Sequence, residues 1–211
     1  MSRHFLTVDP GKRNFCILDC NLSHHHHSDI KMVESSNDID LVFKKPVDSL
    51  LMRVNMVEYG DASIETLINF FYNLSCSGSK PQYYNLVCIE RYAFFGYQSV
   101  QLIEVVNQAI GAFIFALKSR ELVAVENNNI ILLTTNQWKR AIISMFKNNR
   151  EEKEEKKKFN SLNFFKAQVQ EGLIIDNSNV LSKYKHCREH LTDCIFMSLY
   201  ANNLTQLSHS S

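Results

Sequence analysis

Residues 4–19, His4-Phe-Leu-Thr-Val-Asp-Pro-Gly-Lys-Arg-Asn-Phe-Cys-Ile-Leu-Asp19, decide how the chain is read. β-formers dominate 4–9, Pro10-Gly11 is a turn signal, and an apolar run resumes at 14–19, so the stretch predicts a hairpin whose first strand ends on Asp9. A second strand, 83–89, is continuously apolar in its last four residues, as a fully buried strand must be, and it ends on Glu90. Two chain segments some eighty residues apart thus place a carboxylate at a strand end.

Working outward, 62–74 carries Ile64, Leu67, Ile68, Phe71 and Tyr72 at helical spacing. A long helix is expected over 97–119, apolar on more than one face: Leu102, Ile103, Val106, Ala109, Ile110, Phe113 and Leu117 on one, Val100, Val105, Ile114 and Phe115 on others. Short strands are expected at 122–125 and 130–134. A helix then runs through Trp138 to about Phe146 with Thr135 as its N-cap. Further helices are expected at 159–170, stopped by Gly172, and at 187–200. Residues 21–60 are less regular, with one weak strand at 40–43, and read as an insertion or elaborated edge of a single domain spanning 1–211. The run His24–His27 lies there; four consecutive residues cannot all face one ion from a regular element, so it reads as a solvated loop. Strands alternating with helices define an α/β layered domain.

The 211 residues are 45% hydrophobic and 21% charged, with 6 Gly and 3 Pro. That excludes a collagenous or linker-dominated chain and supports a core without disulfides. No apolar run reaches a membrane span, and the N-terminal residues lack a signal-peptide core. The six cysteines include no Cys-x-x-Cys pair and read as reduced thiols of an intracellular protein.

Three carboxylates fall in apolar surroundings: Asp9, Glu90 and Asp193, the last one helical turn after His190 and on the same helix face. Oxygen donors converging from separate elements suit Mg²⁺ or Mn²⁺, and a pair of such ions can orient a water and neutralise a phosphate. Between Lys139 and Lys166 lie nine Lys or Arg residues against four Glu, a local balance of +5 where the whole chain carries +1. Lys139 and Arg140 sit near a predicted helix N-terminus, whose dipole adds to their charge, and so are candidate phosphate contacts. Lys12 and Arg13, just beyond Asp9, join them. The run 150–158 reads equally well as a solvated helix laced by Glu–Lys pairs.

Val8-Asp-Pro-Gly-Lys-Arg-Asn14 resembles the opening hairpin of the RuvC-type Holliday junction resolvases. Val87-Cys-Ile-Glu-Arg91 is similar to the family's second acidic motif, Thr135-Asn-Gln-Trp-Lys-Arg-Ala141 to its basic motif, and His190-Leu-Thr-Asp-Cys194 to its final motif. The four occur in the family's order. The Trp-Lys helix and an Asn-rich, Gly-poor composition place the chain nearest the pox- and iridovirus resolvases. Ile142-Ile-Ser-Met-Phe-Lys147 stands where the family has a glycine-rich segment.

The resemblance implies a ribonuclease-H-like fold, a five-stranded mixed sheet flanked by helices. It makes Asp9, Glu90 and Asp193 metal ligands and catalytic residues. It makes His190 a nitrogen ligand or a general acid/base. The implied activity is metal-dependent cleavage of four-way DNA junctions by paired symmetric nicks, with two Mg²⁺ or Mn²⁺ ions per site, by a homodimer joined through the helix 97–119. Phe94 or Phe95, in the loop after Glu90, would meet the junction centre. A ribonuclease-H-like nuclease acting on RNA and a catalytically silent junction-binding protein are the alternatives; an actin-like ATPase lacks its second glycine-rich phosphate loop.

Overall fold

In a computed structural model of the chain, residues 3–10, 14–23, 38–44, 48–58, 84–91, 100–123, 129–146, 159–185 and 187–207 are described. The predicted helix 62–74, the His24–His27 run and the charged stretch 150–158 lie outside these residues.

Seven strands form one sheet: β1 Arg3–Pro10, β2 Asn14–Ser23, β3 Asp38–Phe43, β4 Asp48–Glu58, β5 Leu86–Glu90, β6 Ile130–Leu133 and β7 Ile174–Asp176. Their order is β6-β5-β1-β2-β4-β3-β7. β1 and β2 pair antiparallel as the expected hairpin, Thr7 opposite Leu18 and Asp9 opposite Cys16, with Pro10 still in the strand opposite Phe15 and the connecting residues 11–13 outside the described residues. β5 and β6 join in parallel on the other side of β1, and such parallel pairing needs crossovers of a dozen or more residues.

Where five strands are expected, the described residues alone supply seven. Only one weak strand was read within 21–60, whereas that stretch supplies β3 and also β4, which pairs along all ten residues of β2. Within 48–58 only Met52-Arg-Val-Asn-Met56 alternates strictly between apolar and polar residues, a five-residue strand signal that went unread in the irregular stretch 21–60. Three-residue β7 is too short to carry a period at all. The strand expected at 122–125 does not form at Leu122 and Val123, and 124–125 lie outside the described residues. Leu122 and Val123 are a buried bend leaving the preceding helix, where Glu121 takes φ 55° and the Leu122 N–H returns to the Leu117 carbonyl at 3.0 Å.

Among the described residues, five helices pack on this sheet: α1 Val100–Ser119, α2 Thr135–Phe146, α3 Ser161–Gln170, the single turn α4 Val180–Lys183, and α5 Arg188–Leu207. Strand parity divides them. Leu6, Val8, Val87 and Ile89 face α1 and bury its Val106, Ala109, Ile110, Phe113 and Leu117. Phe5, Leu86 and Cys88 face the opposite way, into a core with Trp138 and Ile142 of α2, Phe165 of α3 and Leu191, Ile195, Phe196 and Leu199 of α5. Each such fully buried side chain stabilises the fold by about 1.5–3 kcal/mol relative to exposure. Phe196 is an aromatic hub, with Phe146, Phe164 and Phe165 ring centroids 5.6–6.3 Å away.

Thr7 fastens α5 to the centre of the sheet through its hydroxyl, 2.8 Å from Ser198 Oγ and 3.2 Å from the Cys194 carbonyl. α3 ends as Gly172 predicted: it takes φ 70°, its N–H meets the Val169 carbonyl at 3.0 Å, and the Leu173 N–H meets that of Gln168 at 2.9 Å. None of the described helices is long and apolar enough to cross a membrane.

Candidate metal centre

Parity and register build the site before any side chain is considered. Val8 pairs with Ile89 across the parallel strands β1 and β5, so Asp9 and Glu90 are the next residues along two adjacent strands. Asp9 shares its strand face with Phe5 and Thr7, and Glu90 shares its face with Leu86 and Cys88. Both carboxylates therefore rise on the side covered by α5. Asp193, one residue before the Cys194 that lies against Thr7, arrives there from the helix. One carboxylate oxygen from each of Asp9, Glu90 and Asp193 lies within 4.8 Å of the other two. Asp9 is buried and the other two are half-buried.

Three carboxylates this close, away from water, repel one another. Burial, reinforced by the charge of Asp9, pushes Glu90 up to about 8 and Asp193 up to about 6. Lys139 opposes both shifts. Its ammonium lies 5.0 Å from the centroid of the Trp138 ring and 5.9 Å from that of Phe159, a cation-binding position.

His190 is drawn in as well. Its Nδ1 is 2.5 Å from Asp9 Oδ2, and that hydrogen bond, partly offset by burial, raises the imidazole pKa. With Nδ1 committed to Asp9, Nε2 is the nitrogen left for other chemistry. The expectation for His190 was a ligand or an acid/base, and Nε2 is open to either.

Sequence reasoning missed the surroundings of Glu90. Thr135 was expected to cap α2, but Thr134 does so. Gln137 Oε1 receives the Thr134 N–H at 2.8 Å, the return bond of a capping box, and also the Thr134 hydroxyl at 2.9 Å. Thr135 is then the first residue of the helix, and its hydroxyl donates to Glu90 Oε1. Trp138, one turn on and fully buried, brings its indole N–H to the same oxygen at 3.4 Å. Glu90 pairs with Leu133 in the β5–β6 register, which places the start of α2 beside it. The signal was present in the i, i+3 spacing of Thr135 and Trp138, but nothing local tied it to Glu90. Ser161, at the start of α3, hydrogen-bonds Asp193 and lowers its pKa against burial.

Among the predicted DNA contacts, Lys139 lies at the carboxylates and Arg140 is exposed beside it. Lys12, Arg13, Phe94 and Phe95 lie outside the described residues. The exposed side of α1 carries Val100, 75% accessible, and Phe115, 55% accessible.

A divalent cation fits the centre on two observations. The donors are all oxygens, the set a hard cation prefers. Asp193 Oδ1 is also buried without a hydrogen-bond partner among the described residues, an expense a bound cation removes.

A hairpin and a parallel strand that set two carboxylates side by side, with a third on the C-terminal helix across the sheet, define a ribonuclease-H-like fold with an acidic centre. No protein-family model matches the chain, nor does any curated protein. Among solved structures it is similar to Thermus thermophilus RuvC, with a TM-score of 0.51 and 14% identity over 94% of this chain and 95% of that one. T. thermophilus RuvC in complex with Holliday junction substrate aligns over 66% of this chain and 69% of the other, at a TM-score of 0.41 and 13% identity. The first likeness establishes a RuvC-like fold.

Proposed function

We propose that the chain is a divalent-metal-dependent, structure-selective endodeoxyribonuclease that resolves four-way DNA junctions, acting as a homodimer within the cell and nearest the viral resolvases. The observation that carries this reading is the convergence of Asp9, Glu90 and Asp193 within 4.8 Å on that fold. The four sequence motifs, in order, support the choice of substrate.

Asp9, Glu90 and Asp193 would hold the ions, Mg²⁺ or Mn²⁺ and two per site. When bound, the ions supply charge neutralisation for the phosphate and polarise the attacking water. The chain's own residues do the rest. Lys139, held over two aromatic rings, offers a fixed cation to the scissile phosphate. Asp9 orients the imidazole through Nδ1, so that Nε2 exchanges a proton with the reacting oxygen. Lys12, Arg13 and Arg140 would line the path of the backbone, and Phe94 or Phe95 would stack at the branch point. Val100 and Phe115 on α1, which lies on the sheet face opposite the centre, favour pairing through that helix. A two-fold dimer matches the two symmetry-related strands of a junction.

The test is cleavage of a synthetic mobile four-way junction beside linear duplex and an RNA–DNA hybrid, each with Mg²⁺, Mn²⁺ or chelator. Paired, metal-dependent nicks in the junction alone are expected. Preferential cleavage of the hybrid would transfer the protein to the RNA-directed reading, and metal-independent binding without cleavage to the silent one.

A further inference from the structure

Thr135 and Trp138 approach Glu90 from the same helix and reach the same atom. A carboxylate oxygen offers two acceptor positions, and at Glu90 Oε1 the Thr135 hydroxyl occupies one while the Trp138 N–H stands at the other. Trp138 is fully buried, so its N–H depends on this acceptor. The helix start that carries both donors is locked by the Thr134–Gln137 cap and by the Arg91 N–H bond to the Leu133 carbonyl at 2.6 Å. Oε2 is the Glu90 atom left for a cation.

We propose that Thr135 and Trp138 are positioning residues that make Glu90 a one-oxygen ligand and so tune the centre toward small, six-coordinate cations and against Ca²⁺. The inference rests on the metal-dependent reading above. Mg²⁺ and Mn²⁺ accept single oxygens in a tight octahedron, whereas Ca²⁺ takes six to eight oxygens and often both atoms of a carboxylate. Freeing Oε1 would offer Ca²⁺ the second oxygen and loosen the placement of the first.

Trp138 is the only tryptophan in the chain, so its fluorescence reports on ions held by Glu90, and paramagnetic Mn²⁺ should quench it. The experiment titrates Mg²⁺, Mn²⁺ and Ca²⁺ into the full chain by calorimetry and by Trp138 fluorescence, for wild type, Thr135→Ala and Thr135→Ser. Thr135→Ala is expected to weaken Mg²⁺ binding about tenfold with Ca²⁺ binding unchanged or tighter, and Thr135→Ser, which keeps the hydroxyl, to restore the wild-type ratio. An unchanged Mg²⁺ to Ca²⁺ ratio in Thr135→Ala, or equal loss of both ions, overturns the inference and leaves the nuclease reading standing. A wild-type chain that binds none of the three ions overturns the nuclease reading itself. Should Thr135→Ala fail to fold, Thr135→Val carries the same comparison, because it keeps the shape and removes only the donor.

Discussion

Asp9 and His190, 181 residues apart in sequence, meet at 2.5 Å through Oδ2 and Nδ1. The contact gives the imidazole a raised pKa, a fixed ring orientation and one unspent nitrogen. It also ties the first strand to the start of the last helix, so the element that delivers Asp193 is registered on the strand that delivers Asp9.

His190→Ala should cut junction cleavage about 10²–10⁴-fold, the usual contribution of a positioned proton-transfer group, while junction binding persists. The raised folded-state pKa also fixes a sign. The stability that His190 adds is present in full below its unfolded pKa and is lost as pH rises through the folded one. The wild-type advantage in Tm over His190→Ala should therefore be larger at pH 6 than at pH 9. An advantage that grows with pH would refute the pairing.

Asp193→Asn should abolish cleavage, by at least about 10³-fold or roughly 4 kcal/mol of barrier, and leave junction binding largely intact. Without metal it should also stabilise the protein at pH 8, because it removes one of three mutually repelling carboxylates. Cleavage at the wild-type rate would take Asp193 out of the site. Asp9→Asn should lose cleavage too, with His190 set free as well.

In chelator, wild-type stability should fall as pH rises. Glu90 is raised from 4.5 to about 8 and Asp193 from 3.8 to about 6, so the folded state holds these protons more tightly than the unfolded chain. The loss runs from about pH 4 to about pH 8, and His190 acts in the same direction. A Tm drop of about 4 °C or more between pH 5.5 and pH 8.5 is expected, with Mg²⁺ restoring most of it at the higher pH. A flat profile in chelator would show that the carboxyls are not crowded.

Lys139→Ala should weaken junction binding and lower the slope of log affinity against log salt by about one. It should also raise the Glu90 and Asp193 pKa values further, since Lys139 opposes both shifts. An unchanged salt slope would mean that the ammonium serves the carboxylates and not the phosphate.

Phe115→Glu should convert a dimer into a monomer in sedimentation and abolish paired nicking while permitting single nicks. Phe115 is exposed on α1, away from the carboxylates, so the substitution leaves the core untouched. A wild-type chain that sediments as a monomer at micromolar concentration removes the homodimer proposal.

The local sequence by itself determined the elements whose signals are short-range. The two apolar runs either side of Pro10-Gly11 made the paired strands β1 and β2, the apolar run before Glu90 made β5, and Gly172 ended α3 in the left-handed conformation that glycine accepts without cost. Asp9, Glu90 and Asp193 could be nominated because each sits where an apolar element would not otherwise hold a charge.

The tertiary structure alone decided what no window of residues contains. β4 carries a short alternation at Met52–Met56, but its partner, β2, was set only when the sheet closed. Thr134 took the cap expected of Thr135 because the β5–β6 register brought Glu90 to the next hydroxyl. The imidazole on Asp9 and the orphaned oxygen of Asp193 depend on the helix α5 crossing the sheet at Thr7, and the second hydrogen-bond donor to Glu90 depends on the β5–β6 register that sets α2 beside it. Hydrophobic periodicity says which face of an element is buried, whereas the partner across that face, and therefore the chemistry, is set only when the layers close.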